Sequence, residues 1–315
     1  MSKHDVLEES PMARRKFGTA AAIALCTALA GVGLVGCNDA ETESTPETEA
    51  TTEAPAGDAD ADLFTGTGTI TVGEYSVNVS CSGTPVEGRP TVVLLHGGGD
   101  DLTAMADFQE LLSADGRVCS YDRLGAGASD QPAGPQDYED TSEVLDGVLD
   151  AVAGDEGAVL AGHSMGGLIA ARYAPEHQDR VAGLVLLDAT PPTQVADLTN
   201  RIPETATGPA AELRAQTLAI FEGQNPEQLV MADGEVGSAG DIPVQVVRRG
   251  LAQFAEVPEY GPGLDEDWAV GQEQWLALSS DSELVTAENS GHYVYVDEPD
   301  VAAGAVNAVT EQASA

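Results

Sequence analysis

The stretch AGHSMGG, residues 161–167, places a serine between two glycines. The apolar residues 158–161 lead into it and a helix-forming run, 165–174, follows it, so Ser164 stands on a predicted turn between a buried strand and a helix. A turn of this kind presents the serine hydroxyl at the end of its strand. Because the pattern G-x-S-x-G has two free positions, it also recurs by chance, and the rest of the chain has to supply the context.

Apolar runs and helical patterns alternate on both sides of this turn. Residues 68–72 and 75–81 alternate polar and apolar side chains, which is typical of antiparallel strands with one wet face. Residues 90–95 and 181–187 are continuous apolar runs, as expected of buried parallel strands. The sequence therefore predicts an α/β fold, a mostly parallel, doubly wound sheet with helices on both faces. The further predicted strands are 90–95, 117–121, 158–161, 181–187, 244–247 and 283–287, and the predicted helices are 102–112, 138–153, 165–174, 267–278 and 297–312.

One segment interrupts this alternation. Residues 190–241 carry five prolines and one helical piece, 210–221, so we expect a small inserted helical cap rather than a domain with its own core. Apolar side chains of the cap either line a pocket or cover the edge of the sheet. Beyond the cap, three aromatic residues are expected to pack rather than to line a ligand site: Phe254, Trp268 and Trp275. Before it, Pro175 is expected to stop its helix.

A serine hydroxyl is a poor nucleophile unless a base takes its proton, a carboxylate orients that base and donors stabilise the oxyanion. Right-handed crossovers bring the loops after the predicted strands to one edge of the sheet, where such groups meet. Four histidines follow residue 36. His96 belongs to a glycine loop, His163 is expected to point away from Ser164, and His177 follows a helix at the surface. His292, after the last strand, is left as the base.

Four stretches resemble, in order and in spacing, the signatures of the α/β-hydrolase superfamily. They are HGG at 96–98, YDRLGAGASD at 121–130, GHSMGG at 162–167 and SGHYVYVDEP at 290–299, within a resemblance that spans residues 90–300. YDRLGAGASD is similar to the D-R-x-G-x-G-x-S loop of the subgroup that contains non-haem haloperoxidases, epoxide hydrolases and many esterases. Its polar residues Tyr121, Asp122, Arg123 and Asp130 are expected to brace the loop.

The resemblance implies a Ser-acid-His triad in which Ser164 is the nucleophile and His292 the base. It also implies an oxyanion hole made by the backbone amides of Gly98 and Met165.

The acid of the triad has alternatives. Many relatives carry it after the strand at 244–247, which would favour Asp265 or Asp267. A branch that resembles pancreatic lipases carries it after the preceding strand, where Asp188 stands. We prefer Asp188 because it directly follows a strand, whereas the other two lie in an acidic loop.

The first 62 residues are expected to be an export signal and a tether. A basic start at 14–16 precedes an apolar run that ends at Leu34-Val35-Gly36-Cys37, which resembles a bacterial lipoprotein signal box. We expect a signal peptide at 1–36, a lipidated Cys37 that opens an acidic, unstructured tether at 37–62, and a folded domain at 63–315. Export by the Sec or the twin-arginine route would anchor this domain to the outer face of the bacterial cell membrane. Secretion without lipidation is the alternative.

Two cysteines remain after the signal and Cys37. Because thiols oxidise outside the cytoplasm, Cys81 and Cys119 are predicted to form a disulfide bond, with two separate buried thiols as the alternative. The formal net charge is −40 and no lysine follows Lys16. Such a surface repels phosphate backbones, which excludes nucleic acid as a partner. No acidic run has the spacing of a calcium loop. The oligomeric state is left open.

These features predict a surface-anchored serine hydrolase that cleaves a small-molecule carboxylic ester through an acyl-enzyme, without cofactor or metal. A serine nucleophile argues against epoxide and haloalkane hydrolysis, for which relatives use an aspartate. Lactonase, amidase, perhydrolase and carbon–carbon bond hydrolase chemistry remain open, because the triad does not distinguish them. An alternative of another class is a non-catalytic lipoprotein that binds a small apolar ligand in the same pocket.

Overall fold

The computed structural model describes residues 63–257 and 259–314. The expected signal peptide, Cys37 and the tether lie outside the described residues. Eight strands form one sheet, in the spatial order β1-β2-β4-β3-β5-β6-β7-β8. The strands are β1 (Gly66–Val72), β2 (Tyr75–Ser82), β3 (Val92–Leu95), β4 (Val118–Tyr121), β5 (Ala158–His163), β6 (Val181–Leu187), β7 (Val244–Arg249) and β8 (Ser282–Ala287).

The sheet is mixed but mostly parallel. Strand β1 pairs with β2, and β2 with β4, in the antiparallel sense. All pairs from β4 to β8 are parallel. The hairpin of β1 and β2, with one solvent-facing side, therefore lies at one edge of the sheet. Strands β3 and β6, which have continuous apolar runs, lie in its interior, as their patterns predict.

Helices cover both faces. Because side chains alternate along a strand, Val93 and Leu95 of β3 join the core under one layer of helices, while Val92 and Leu94 join the core under the other. Helices α2 and α3 pack on the first face, and α1 and α8 on the second. The helices are α1 (Ala106–Leu112), α2 (Tyr138–Ala153), α3 (Met165–Glu176), α4 (Gln194–Arg201), α5 (Pro209–Phe221), α6 (Gly261–Gln274), α7 (Val294–Asp297) and α8 (Pro299–Ala313).

Several helix boundaries differ from the prediction, and those of α3 and α6 involve prolines. Pro175 lies inside α3, which ends one residue later, at Glu176. Proline lacks the N–H that would donate to the carbonyl four residues back and crowds that carbonyl, so the helix continues for only one residue beyond it. Helix α6 begins at Gly261 instead of residue 267, because Pro262 suits the first turn of a helix, where the missing N–H would have no partner.

Helices α4 and α5 form the cap predicted at 190–241. Their buried residues Leu198, Ile202 and Ala210 cluster with Val257 and Leu264, which lie outside that stretch. The cap therefore packs against the region around α6 and does not build a core from its own residues alone.

A disulfide bond joins Cys81 to Cys119, as predicted. The two residues are direct partners in the antiparallel pairing of β2 with β4, with Cα atoms 4.1 Å apart. The bond fixes the edge hairpin to the parallel part of the sheet. Among the described helices, none combines the length and the apolar character that crossing a membrane requires.

Candidate active site

Ser164 occupies the turn between β5 and α3 in a strained conformation. Its φ is 50° and its ψ is −118°, and among the described residues only two other non-glycine residues have positive φ, Asp188 and Gln228. The turn leaves no room for side chains at the two glycines of the motif. A Cβ on Gly162 would lie 2.5 Å from the carbonyl oxygen of Gly166, and one on Gly166 would lie 2.3 Å from that of Leu95. The glycines thus make possible a strained turn that presents Ser164 at the carboxyl edge of the sheet.

Asp188 follows β6 directly and is fully buried, with 0% exposure. Oδ1 accepts hydrogen bonds from the Trp268 indole N–H at 2.9 Å and from the Arg249 backbone N–H at 3.2 Å. Oδ2 accepts from Arg249 Nη1 at 2.7 Å and from His292 Nδ1 at 2.6 Å. Burial by itself raises the pKa of Asp188, but the hydrogen bond from His292 and the charge of Arg249 outweigh it and lower the pKa below its ordinary value. Asp188 is therefore an ionised acceptor.

His292 lies in the loop between β8 and α7 and meets Asp188 through Nδ1. Because the carboxylate only accepts, Nδ1 carries the proton, which leaves Nε2 of a neutral ring as an acceptor. His163 Nε2 lies 3.0 Å from the backbone carbonyl oxygen of His292, and since that oxygen only accepts, His163 Nε2 carries its proton. His163 is not among the residues that line the cavity with Ser164, and it anchors the loop that carries His292.

Ser164 and His292 line one cavity of about 240 Å³. Gly98 and Met165 line it too, and a Cβ on Gly98 would lie 3.5 Å from the Cβ of Met165. The described residues offer no hydrogen-bond partner to the Ser164 hydroxyl. Such bonds are often long or absent before a substrate binds. The cap contributes Ile220 and Phe221 to the apolar part of the cavity wall. Phe254 and Trp268, which lie beyond the cap, contribute the other apolar side chains named here.

A buried ion pair braces the loop that contains Gly98. Arg123 donates to the carbonyl oxygens of His96 at 2.7 Å and Gly97 at 2.9 Å, and its Nε lies 2.7 Å from Glu227 Oε2. Burial lowers the pKa of Arg123, but the Glu227 carboxylate outweighs this and raises it. Asp122 accepts from the backbone N–H groups of Leu102 and Ala128 at 2.7 and 2.8 Å. Asp122 thus braces the 121–130 loop, as expected, while Arg123 braces the Gly98 loop with Glu227, a partner that sequence reasoning missed.

The two alternative acids lie elsewhere. Asp267 forms a bidentate pair with Arg201 of α4, at 2.6 and 2.8 Å. Asp265 accepts from Arg249 Nη2 at 3.1 Å and from the Gln253 backbone N–H at 2.9 Å. Of the three candidates, Asp188 is the one hydrogen-bonded to His292 within the described chain.

Sequence reasoning expected Phe254 and Trp268 to pack rather than to line a ligand site, and for both this is wrong, because both line the cavity. The indole lines the cavity, donates to Asp188 and stacks edge-on against His292 at 5.3 Å between ring centroids. A tryptophan combines a large apolar surface with one donor, and no local pattern shows what that donor will reach. Arg249 was also missed, although two arginines at the end of a buried strand are a visible signal.

The described side chains offer no cluster of three or more histidine, cysteine, aspartate or glutamate residues that could hold a metal ion. The groups gathered around Ser164 are instead a hydroxyl, an imidazole with a free acceptor nitrogen, a buried carboxylate and backbone amides. This set suits proton transfer and stabilisation of an oxyanion.

Comparison with known proteins agrees with this geometry. Residues 90–224 match the family model of the alpha/beta hydrolase fold. The chain is 39% identical over 120 residues to a non-heme chloroperoxidase of Streptomyces lividans, covering 37% of this chain and 42% of that protein. It is 32% identical over 142 residues to a putative carbamate hydrolase of Azorhizobium caulinodans, covering 43% and 53%. The chain thus spans about half or less of the length of these curated relatives.

Among solved structures, the fold is similar to that of a thermophilic esterase from Thermogutta terrifontis. The TM-score is 0.54 at 21% identity, over 79% of this chain and 99% of that one. At this identity the likeness concerns the fold alone. The protein is an α/β protein with a nucleophile-elbow geometry at Ser164. It has the α/β-hydrolase fold.

Proposed function

We propose that this protein is a serine hydrolase that cleaves carboxylic esters through an acyl-enzyme, with Ser164 as nucleophile, His292 as base and Asp188 as the acid of the triad. One observation carries the proposal: the strained Ser164 shares a cavity with an imidazole that is hydrogen-bonded, at 2.6 Å, to a buried and ionised carboxylate. A catalytically silent ligand-binding protein would have no need of this arrangement.

The chemistry follows from the protonation states. His292 Nε2 takes the proton of the Ser164 hydroxyl as the oxygen attacks the ester carbonyl, and Asp188 stabilises the imidazolium that forms. The N–H groups of Gly98 and Met165 donate to the oxyanion, and the start of α3 adds a favourable potential. His292 then protonates the departing alcohol. Water, activated by the same imidazole, releases the acid and restores Ser164.

The cavity favours a compact, neutral ester. Its volume is about 240 Å³, and Ile220, Phe221, Phe254 and Trp268 give part of its wall an apolar surface, so a short acyl or alcohol group fits better than a long chain. The formal net charge of −40 disfavours approach of an anionic substrate.

A panel of p-nitrophenyl esters from acetate to decanoate tests this proposal. We expect kcat/KM to be highest for the short acyl chains and to fall as the chain outgrows the cavity. Ser164→Ala should abolish turnover. Ser113→Ala, which removes a hydroxyl that only caps the end of α1, is the matched control and should retain it. Turnover retained in Ser164→Ala, or absent in the wild type for every ester, would refute the proposal.

We further propose that Cys37 is lipidated and anchors the hydrolase domain to the outer face of the cell membrane. The signal box that ends at Cys37 and the acidic spacer after it support this. Expression in a bacterium fed an alkyne fatty acid is the test. The wild type should carry the label and sediment with membranes, whereas Cys37→Ser should carry none. An unlabelled wild-type chain in the medium would indicate secretion instead.

A further inference from the structure

The triad acid is shared with a cation. Strands β6 and β7 are parallel neighbours, and Arg249, the last residue of β7, lies beside Asp188. Arg249 Nη1 lies 2.7 Å from Asp188 Oδ2, the same oxygen that accepts from His292 Nδ1 at 2.6 Å. The side chains are 5% and 0% exposed, so solvent screens this pair very little.

Arg249 has a second carboxylate partner. Its Nη2 lies 3.1 Å from Asp265 Oδ1, and the Asp265 side chain is 20% exposed. The guanidinium also lies against two aromatic rings, 4.7 Å from the centroid of Trp268 and 5.6 Å from that of Phe254. The guanidinium is therefore held in place. His292, Asp188, Arg249 and Asp265 form a row of groups whose charges alternate when His292 is protonated.

Other titratable and aromatic groups also face His292. His163 of β5 lies 4.6 Å away between ring centroids, and burial together with His292 lowers the pKa of His163 to about 3, so it stays neutral near neutral pH. Asp100, in the loop after β3, is a charged group close enough to interact with His292, and burial raises its pKa. Tyr293 and Trp268 contribute rings at 5.7 and 5.3 Å. None of these is part of the row through Arg249.

Elementary electrostatics gives each member of the row a direction. A positive charge next to Asp188 reduces the negative potential that Asp188 creates at His292, and a negative charge at Asp265 reduces the effect of that positive charge. We propose that Arg249 and Asp265 are positioning residues that set the pH range in which His292 is available as a base, Arg249 extending it to lower pH and Asp265 opposing Arg249. The inference rests on the hydrolase function proposed above.

The pH dependence of kcat/KM for a neutral ester tests the inference. Asp265→Asn keeps the acceptor for Gln253 and removes the charge, so the acid limb should move to lower pH, by about half a pH unit or more. Arg249→Met should move it in the opposite direction. Because Arg249→Met leaves Asp188 buried without its cation and invites misfolding, Arg249→Lys is the second variant. It retains the charge and should leave the limb near its wild-type position while kcat falls.

Asp267→Asn is the matched control. Asp267 lies two residues further along α6, is 24% exposed and pairs with Arg201, so its removal should leave the acid limb in place. A merely structural role for Asp265 would lower the stability of Asp265→Asn without moving its acid limb. Limbs that coincide for wild type, Asp265→Asn and Arg249→Lys would overturn the inference, as would a shift to higher pH in Asp265→Asn.

Titration of the His292 ring by NMR separates this inference from the hydrolase proposal. The titration is done in a Ser164→Ala background, because NMR reads the ring directly and needs no turnover. The resonance that is missing from the spectrum of His292→Gln belongs to His292. The midpoint should move to lower pH on adding Asp265→Asn. A shifted midpoint, combined with a protein of wild-type Ser164 that cleaves no ester, would sustain the electrostatic row and refute the hydrolase proposal. An unshifted midpoint, combined with a protein of wild-type Ser164 that cleaves esters, would refute the electrostatic row and leave the hydrolase proposal standing.

Discussion

The His292 imidazole and the Asp188 carboxylate are joined by a hydrogen bond of 2.6 Å between Nδ1 and Oδ2, across 104 residues of sequence. Asp188→Asn offers an amide to the ring and favours the tautomer in which Nε2 carries the proton, so the base can no longer accept from Ser164. We expect kcat to fall about 10³–10⁴-fold for a short-chain ester, with near-normal far-ultraviolet circular dichroism. Asp267→Asn, measured alongside, should stay within a few-fold of wild type. Near-normal turnover in Asp188→Asn would move the acid elsewhere.

The glycines of the turn offer a stability test with an internal contrast. Gly162→Ala places a Cβ 2.5 Å from the carbonyl oxygen of Gly166, so the turn must shift, and both activity and unfolding midpoint should fall. Gly304→Ala adds a Cβ in helix α8 with no heavy atom within 4 Å, and should stabilise by roughly 0.5–1 kcal/mol through helix propensity. Urea unfolding checks both. Equal effects of the two substitutions would contradict this account of the turn.

The disulfide bond between Cys81 and Cys119 closes a loop with a sequence separation of 38. Replacing both cysteines by serine should reduce the free energy of unfolding by about 2–4 kcal/mol, chiefly by freeing the unfolded chain. Urea unfolding with and without reductant measures it: reductant should lower the midpoint of the wild type and leave that of the double variant unchanged. A wild-type midpoint that survives full reduction would contradict the prediction.

Buried His163 makes stability depend on pH. Its imidazole is 1% exposed, and burial, with a contribution from His292, lowers its pKa to about 3. An unfolded chain binds this proton near pH 6.5, so the unfolded state holds more protons between these values and stability falls as the pH drops through them. His163→Gln should remove up to about 1.4 kcal/mol per pH unit of that dependence. Unfolding free energies at pH 7, 5 and 4 measure it, and an unchanged dependence would contradict the prediction.

Local patterns were enough to predict the fold. Helix α2 spans Tyr138–Ala153, as its apolar spacing indicates, and the interior strands β3 and β6 follow continuous apolar runs. These signals are local because burial on one or both faces dictates the period of the apolar side chains. The positions of Ser164 and His292 at strand ends follow from the same patterns, whereas their catalytic roles stay predictions.

Long-range partners could not be predicted. Glu227 meets Arg123 across 104 residues, and Trp268 reaches Asp188 across 80. Neither pairing leaves a periodic trace in the sequence, because a single buried donor or charge needs only one partner anywhere in the chain. Arg249 shows the same limit, since its position at the end of β7 was visible while its contact with Asp188 depended on how the two strands pair.

Covalent trapping of the nucleophile tests the central claim most directly. The folded protein is treated with a fluorophosphonate, and the intact mass and the peptide that carries the adduct are determined. We expect one adduct per chain on Ser164, much slower labelling of His292→Gln, and none for Ser164→Ala. A wild-type protein that stays unlabelled under conditions that label a known serine esterase, or an adduct on another residue, would contradict the assignment of Ser164 as an activated nucleophile.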